Sequence, residues 1–197
     1  MRKLLLFITA IVLMGLSSFA QDLRVDLTHL EDHNDTMYYQ SKPFTGVGVL
    51  KSANGNIILE TTYKNGLPNG IETTYYANGT KRTESMMKDG KYNGKVIHYY
   101  ENGRVQSSET YKEDFKFGPA VYYYENGAKK REGVYNDCKE IGLWTEYWPN
   151  GQKKAEGHYE HAQKTGVWTY WDENGNLIKT EDHSKNAGEG ILPTGAY

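Results

Sequence analysis

The feature that most limits what this chain can fold into is a 24-residue period, kept without insertion or deletion across most of its length. One series runs Gly46, Gly70, Gly94, Gly118, Gly142, Gly166. A second runs Asn54-Gly55, Asn78-Gly79, Asn102-Gly103, Asn126-Gly127, Asn150-Gly151, Asn174-Gly175. A period this strict marks repeat architecture before any single residue is weighed.

Each Asn-Gly lies between short runs rich in Tyr, Trp, Val and Thr, and the pair suits a two-residue type I′ hairpin loop. Every unit is therefore predicted to be a β-hairpin. Its second strand closes on Tyr63, Tyr111, Tyr135 or Tyr159, with Met87 and His183 in the same slot of the other two units. The polar segments between units, such as Lys64 to Asn69, turn the chain toward the next hairpin. From 46 to 183 this gives six hairpins and about twelve strands, hence a sheet roughly 60 Å long at about 4.8 Å per strand. No stretch there has the helical period needed to cover such a sheet. The expected fold is all-β: one elongated, single-layer antiparallel sheet of about six 24-residue hairpins.

The side chains agree with a thin sheet. With 17 Tyr and only 5 Phe, the chain has little with which to build a deep apolar core, whereas tyrosine can cover a sheet and still reach water.

The ends read differently. Arg2-Lys3, an apolar run from Leu4 to Leu16, and the small residues before Ala20 form a signal-peptide layout over 1–20, with cleavage after Ala20 and export to the periplasm or beyond. No cysteine stands near that point to take a lipid anchor. Residues 21–45 are expected to be an extended lead-in and a cap strand, with Pro43 at an edge position. Residues 184–197 read as a loose tail.

The whole chain carries a net charge of −2, and loses two cations with the leader. That balance argues against nucleic acid or an anionic membrane as partner. Cys138 is the only cysteine and has no internal disulfide partner.

A two-residue loop sets the pairing. Tyr75 then faces Arg82, Tyr123 faces Lys130 and Tyr147 faces Lys154, while Tyr76, Tyr124 and Trp148 face Lys81, Lys129 and Lys153, giving each face an aromatic row opposed by a basic one. Glu60, Glu84, Glu132 and Glu156 add carboxylates beside those cations. In the same register Gly142 lies opposite Tyr159, whose ring is expected to cover the bare backbone.

These residues resemble the MORN-repeat family, in particular the variant repeats of YwqK-type proteins described as antitoxins. The resemblance rests on Tyr63-x-x-Gly66-x-x-x-Gly70, on Gly142-x-Trp144 and Gly166-x-Trp168, on the Tyr-Tyr-x-Asn-Gly and Tyr-Trp-x-Asn-Gly turns, and on Pro43-Phe44-Thr45-Gly46. It covers about 37–183. It implies an elongated, grooved antiparallel sheet that binds protein partners or self-associates, with membrane lipids linked to some members. The chain departs from the strict pattern where Asp114, Cys138 and Ala162 replace the glycines seen at Gly66 and Gly90.

No nucleophile motif or phosphate loop is present, and Glu132 and Glu156 fall about 10 Å apart, two strand spacings. His29 with His33, and His158 with His161, lack the further ligands of a metal site. The reading is a non-enzymatic protein without cofactor or metal. Its candidate binding surface comprises Tyr75, Tyr99, Tyr123, Trp144, Tyr147, Trp148, Trp168, Tyr170 and Trp171, its partner is an unidentified protein, and its sheet edges offer a route to self-association. An antitoxin or immunity role and a glycan-binding surface are the alternatives.

Overall fold

The structure is a computed structural model and describes residues 23–184. The expected leader over 1–20, and the expected tail apart from Ser184, lie outside the described residues.

The six hairpins are present. They are β5/β6 (Gly46–Lys51, Ile57–Lys64), β7/β8 (Leu67–Tyr75, Lys81–Lys88), β9/β10 (Lys91–Tyr99, Val105–Lys112), β11/β12 (Phe115–Tyr123, Lys129–Asn136), β13/β14 (Lys139–Tyr147, Lys153–Glu160) and β15/β16 (Gln163–Trp171, Leu177–Asp182). Consecutive strands pair antiparallel from β5 to β16 in one sheet. One strand departs from the expectation: β1 (Arg24–Asp26) joins β5 in parallel, so the sheet has 13 strands and is not wholly antiparallel.

The turn chemistry is the reverse of what the Asn-Gly series predicts. At each tip the loop has three residues: the Gly55 N–H donates to the Ser52 carbonyl at 2.9 Å and the Ser52 N–H to the Asn56 carbonyl at 2.8 Å. Only the glycine has a positive φ there, +86° at Gly55. This is a type I turn closed by a left-handed residue. The two-residue I′ turns lie at the opposite ends of the strands, where both residues are left-handed: Asn65-Gly66, Asp89-Gly90, Glu113-Asp114, Asp137-Cys138 and His161-Ala162.

The longer tip loop shifts the register. Tyr75 faces Lys81, Tyr123 faces Lys129 and Tyr147 faces Lys153, each one residue short of the expected partner. Residue 154 is the extra one, since Glu146 already faces Ala155. Further from the tip the expected pairs stand, including Gly142 with Tyr159 and Gly118 with Tyr135. A second irregularity sets Asn69, Gly70 and Ile71 against Thr62 alone, and the repeat glycines occupy it with φ of +121° at Gly70 and +63° at Gly166. Bulges bend a strand and raise its twist. The face that bears the buried Trp144 and Trp168 is termed the hollow face.

Residues 23–45 are folded rather than an extended lead-in. After β1, a 3-10 turn (Leu27–His29) leads into a small antiparallel sheet of β2 (Glu31–His33), β3 (Thr36–Tyr39) and β4 (Lys42–Pro43). Val25, Phe44 and Tyr63 form a buried cluster with Leu27, Leu30, Met37 and Tyr39 against it. The Gly66 N–H donates to the Phe44 carbonyl at 2.7 Å, as Gly90 does to Pro68 and Cys138 to Lys116 one and three units later. The cap thus supplies the bonds of a partial repeat.

Candidate functional site

The hollow face carries the core. Along it run Val96, Ala120, Trp144, Ala155 and Trp168, all buried although among the described residues no second layer lies over them. Trp144 is 0% exposed and Trp168 1%, so neither belongs to a binding surface; their place in the candidate set is corrected. Gly133 and Gly157 explain the burial. Each indole lies against the glycine of the preceding strand, where a Cβ would stand 2.2 Å from Trp144 and 2.4 Å from Trp168. Edge-on contacts then alternate Tyr135, Trp144, Tyr159 and Trp168, with ring centres 5.1, 6.2 and 5.0 Å apart.

The ring-over-glycine contact therefore exists, at a different pair from the expected one. A Cβ on Gly142 would meet nothing within 4 Å, and its φ of +65° is what calls for glycine. Arg131 covers the Trp144 ring at 4.0 Å and Lys164 the Trp168 ring at 4.1 Å. Tyr170 also lies on this face, donating to Glu181 at 2.8 Å.

Mid-array, the hollow face holds a buried carboxylate. Glu109 accepts from Lys116 Nζ at 2.6 Å and from the Tyr122 hydroxyl, which lies 3.2 Å from that of Tyr135. Burial, and then the bond to Glu109, push the Tyr122 phenol far above its ordinary value. This is a satisfied polar cluster.

The outer face carries the rest of the candidate set apart from Trp148. Tyr75, Tyr99, Tyr123, Tyr147 and Trp171 recur at the tip end of every first strand from β7 onward. Their parity follows from the bulge. Because one residue loops out between them, Lys153 and Glu156 point to the same side as Tyr147 and Thr145. Lys153 reaches Glu156 at 2.6 Å and Lys129 reaches Glu132 at 2.9 Å, while Lys81 pairs with Glu84. The Tyr147 hydroxyl donates to Glu132 at 2.6 Å and that of Tyr75 to Glu60 at 2.9 Å. Bonds from Tyr147 and Lys129 hold the Glu132 carboxyl below the usual range, and bonds from Lys153 and Thr145 do so for Glu156. Both stay ionised, and neither is poised for acid catalysis.

Nearer the I′ turns the outer face has an apolar row that the sequence reading missed. Ile71, Met86, Leu143 and Val167 are each about half exposed, Val134 somewhat less. The signal was available: Val47, Ile71, Pro119, Leu143 and Val167 each follow a repeat glycine, with Lys95 in the remaining slot. Ile71 faces Met86 and Pro119 faces Val134 across the ladder.

Trp148 belongs to neither row. Its Nε1 donates to the Trp171 carbonyl at 3.0 Å, as the hydroxyls of Tyr76, Tyr100 and Tyr124 do to Tyr99, Tyr123 and Tyr147 at 2.7 Å. Asn78, Asn126 and Asn150 likewise donate from Nδ2 to carbonyls of the next tip. From the second hairpin onward these aromatics bolt each tip to the next.

The histidine pairs are dispersed: His33 meets Glu31 at 3.3 Å, His158 faces Leu143, and His161 opens an I′ turn.

A family model described as MORN repeat variant matches residues 68–89, 92–113, 118–137, 140–161 and 164–186, more than half of the chain. The chain belongs to the MORN repeat variant family. Each MORN match begins on a strand that leaves one I′ turn and ends at or just past the next such turn or, in the last, beyond β16, so the family unit is one hairpin. The first hairpin, β5/β6, lies outside the matched residues. MORN repeats are in general modules for interaction with proteins or membranes, and the family is in general non-enzymatic. A search of the curated proteins finds no match.

Proposed function

We propose that the protein is an exported, non-enzymatic protein-binding module whose docking face is the outer face of the MORN array. The observation that carries this reading is the division of aromatics between faces. Trp144 and Trp168 are packed away, whereas the row Tyr75, Tyr99, Tyr123, Tyr147 and Trp171 runs beside the half-exposed Ile71, Met86, Leu143 and Val167 on one continuous surface. Rings and aliphatics beside neutralised Lys–Glu pairs have the composition of an interface centre, where Tyr and Trp dominate and net charge is low.

The test is capture from the envelope of the native cell with the full chain as bait. One stoichiometric protein is expected, lost with Tyr99→Ala plus Leu143→Asp and retained with a hollow-face change such as Thr83→Ala. Capture that ignores both outer-face changes would sink the proposal. A narrower version, an antitoxin or immunity role, requires a toxic neighbour gene whose lethality this protein suppresses. The ring row also supports a second reading as a glycan surface, because one ring on every second strand gives a spacing of about 10 Å along the row. That reading expects retention on immobilised polysaccharide, abolished by alanine at Tyr99, Tyr123 and Tyr147.

A further inference from the structure

We infer that Asn174, at the tip of the last hairpin, is a site of spontaneous deamidation that ages the array from its C-terminal end. Asn-Gly is the dipeptide most open to this chemistry, because glycine leaves the following amide unshielded. The Gly175 amide nitrogen attacks Asn174 Cγ, the Cγ–Nδ2 bond breaks, and ammonia leaves with the amide proton. Water then opens the five-membered imide to aspartate or isoaspartate.

The six tips share one dipeptide and one backbone bond, since every tip glycine N–H is held by the residue three before it, from Gly55 to Ser52 through Gly175 to Asp172. What differs is the asparagine side chain. In the four inner tips it is tied at both ends. Oδ1 accepts from the N–H two residues on, at Thr80, Arg104, Ala128 and Gln152. Nδ2 donates to the next tip, reaching the carbonyls of Glu101, Pro149 and Glu173 or the Glu125 carboxylate at 2.7 to 3.3 Å.

Among the described residues no further tip follows Asn174. Its own N–H is taken by Asp172 Oδ1, and its side-chain amide makes no bond among the described residues. Asn54, in the first hairpin, is intermediate: Ser52 holds its Oδ1 and nothing described holds its Nδ2. The three remaining Asn-Gly pairs are shielded. Asn69 and Asn93 donate to Asp89 and Glu113. At Asn65 the backbone N–H donates to Thr45 Oγ1 at 2.9 Å and the Gly66 N–H to the Phe44 carbonyl at 2.7 Å, which pins the turn against the cap.

The product matters for the fold. Isoaspartate adds a backbone carbon to a loop whose two hydrogen bonds set the register of β15 and β16.

Peptide mapping by mass spectrometry tests this on the full chain in mildly alkaline buffer, with an isoaspartyl methyltransferase to score the product. Asn174 is expected to convert about tenfold faster than Asn126 or Asn150, as when two ordinary hydrogen bonds must break first, with Asn54 between. In denaturant the tip asparagines should converge on one rate. Equal rates in the native protein, or an order that survives denaturation, overturns the proposal. Glu125→Ala, which frees Asn102 Nδ2, should speed conversion at Asn102 alone; an unchanged rate there also counts against it.

Discussion

The indole of Trp168 lies flat enough against Gly157 that a Cβ on that glycine would stand 2.4 Å from the ring. Gly157 has an ordinary extended backbone, whereas Gly142 has open space around it and a φ of +65°. The two glycines are therefore required for opposite reasons. Gly157→Ala should displace Trp168 and cost about 2–3 kcal/mol, as overpacking does. Gly142→Ala should cost about 1 kcal/mol through the backbone alone. Urea unfolding with tryptophan emission checks both. A Gly157→Ala protein with native stability and an unshifted emission maximum would refute the packing argument.

The I′ turns carry strain at positions where the repeat has lost its glycine. Ala162 sits at φ +66° and Cys138 at +60°, each costing about 1 kcal/mol relative to glycine. Ala162→Gly should raise stability by about that amount in thermal melts. Cys138→Gly should gain less, since the sulfur accepts the Lys116 N–H at 3.3 Å. Asp114→Gly should gain nothing, because Asp114 Oδ1 accepts the Tyr92 N–H at 2.7 Å, a bond that glycine cannot replace. Equal gains at all three positions would mean that side-chain bonds contribute nothing there.

These turns also mark how far the fold could be read from the residues. The period at Gly46 through Gly166 and at the Asn-Gly pairs yields six hairpins and the order of β5 to β16, because both depend only on local sequence. The loop type was not legible. Asn54-Gly55 and Asn65-Gly66 are the same dipeptide, yet one closes a three-residue type I loop and the other a two-residue I′ turn. What favours the three-residue loop at the inner tips is a set of bonds between units, such as Asn78 to Glu101 and Tyr76 to Tyr99, invisible in any one hairpin. The burial of Trp144 was hidden for a related reason. Its seat against Gly133, beneath Arg131 and between Tyr135 and Tyr159, comes from the neighbouring strands and not from its own. Tyr75, Tyr123 and Tyr147 do share one face, since a 24-residue step preserves the face whatever the loop.

Alkaline pH should weaken the tyrosine–carboxylate bonds on both faces of the sheet. Burial, and then the hydrogen bond to Glu132, push Tyr147 up to about 12, and burial with the bond to Glu181 does the same for Tyr170. A phenol with a folded pKa above its unfolded value near 10 contributes stability that is complete below that value and is lost as pH rises through the folded one. Unfolding midpoints should therefore fall between pH 10 and 12. Tyrosinate absorbance should show at least two late-titrating phenols, and Tyr147→Phe should remove one of them. Titration of every tyrosine in a single step near its ordinary value would contradict these bonds.

The Glu109 cluster makes the final case. Glu109 is 4% exposed and is held by Lys116 and the Tyr122 hydroxyl, while Lys116 keeps about a third of its side chain in water. Removing the carboxylate leaves the phenol without its acceptor and the ammonium only partly solvated. Glu109→Ala should therefore cost about 2–3 kcal/mol, less than for a fully buried pair. Replacing the cluster together, as Glu109→Leu with Lys116→Met and Tyr122→Phe, should recover most of that loss, because neither the ammonium nor the Tyr122 phenol is then left without its acceptor. Urea denaturation of the single and triple variants decides the matter. If the triple variant is no more stable than Glu109→Ala, the cluster stabilises by more than mutual satisfaction, and its ionic bonds contribute net stability to the middle of the array.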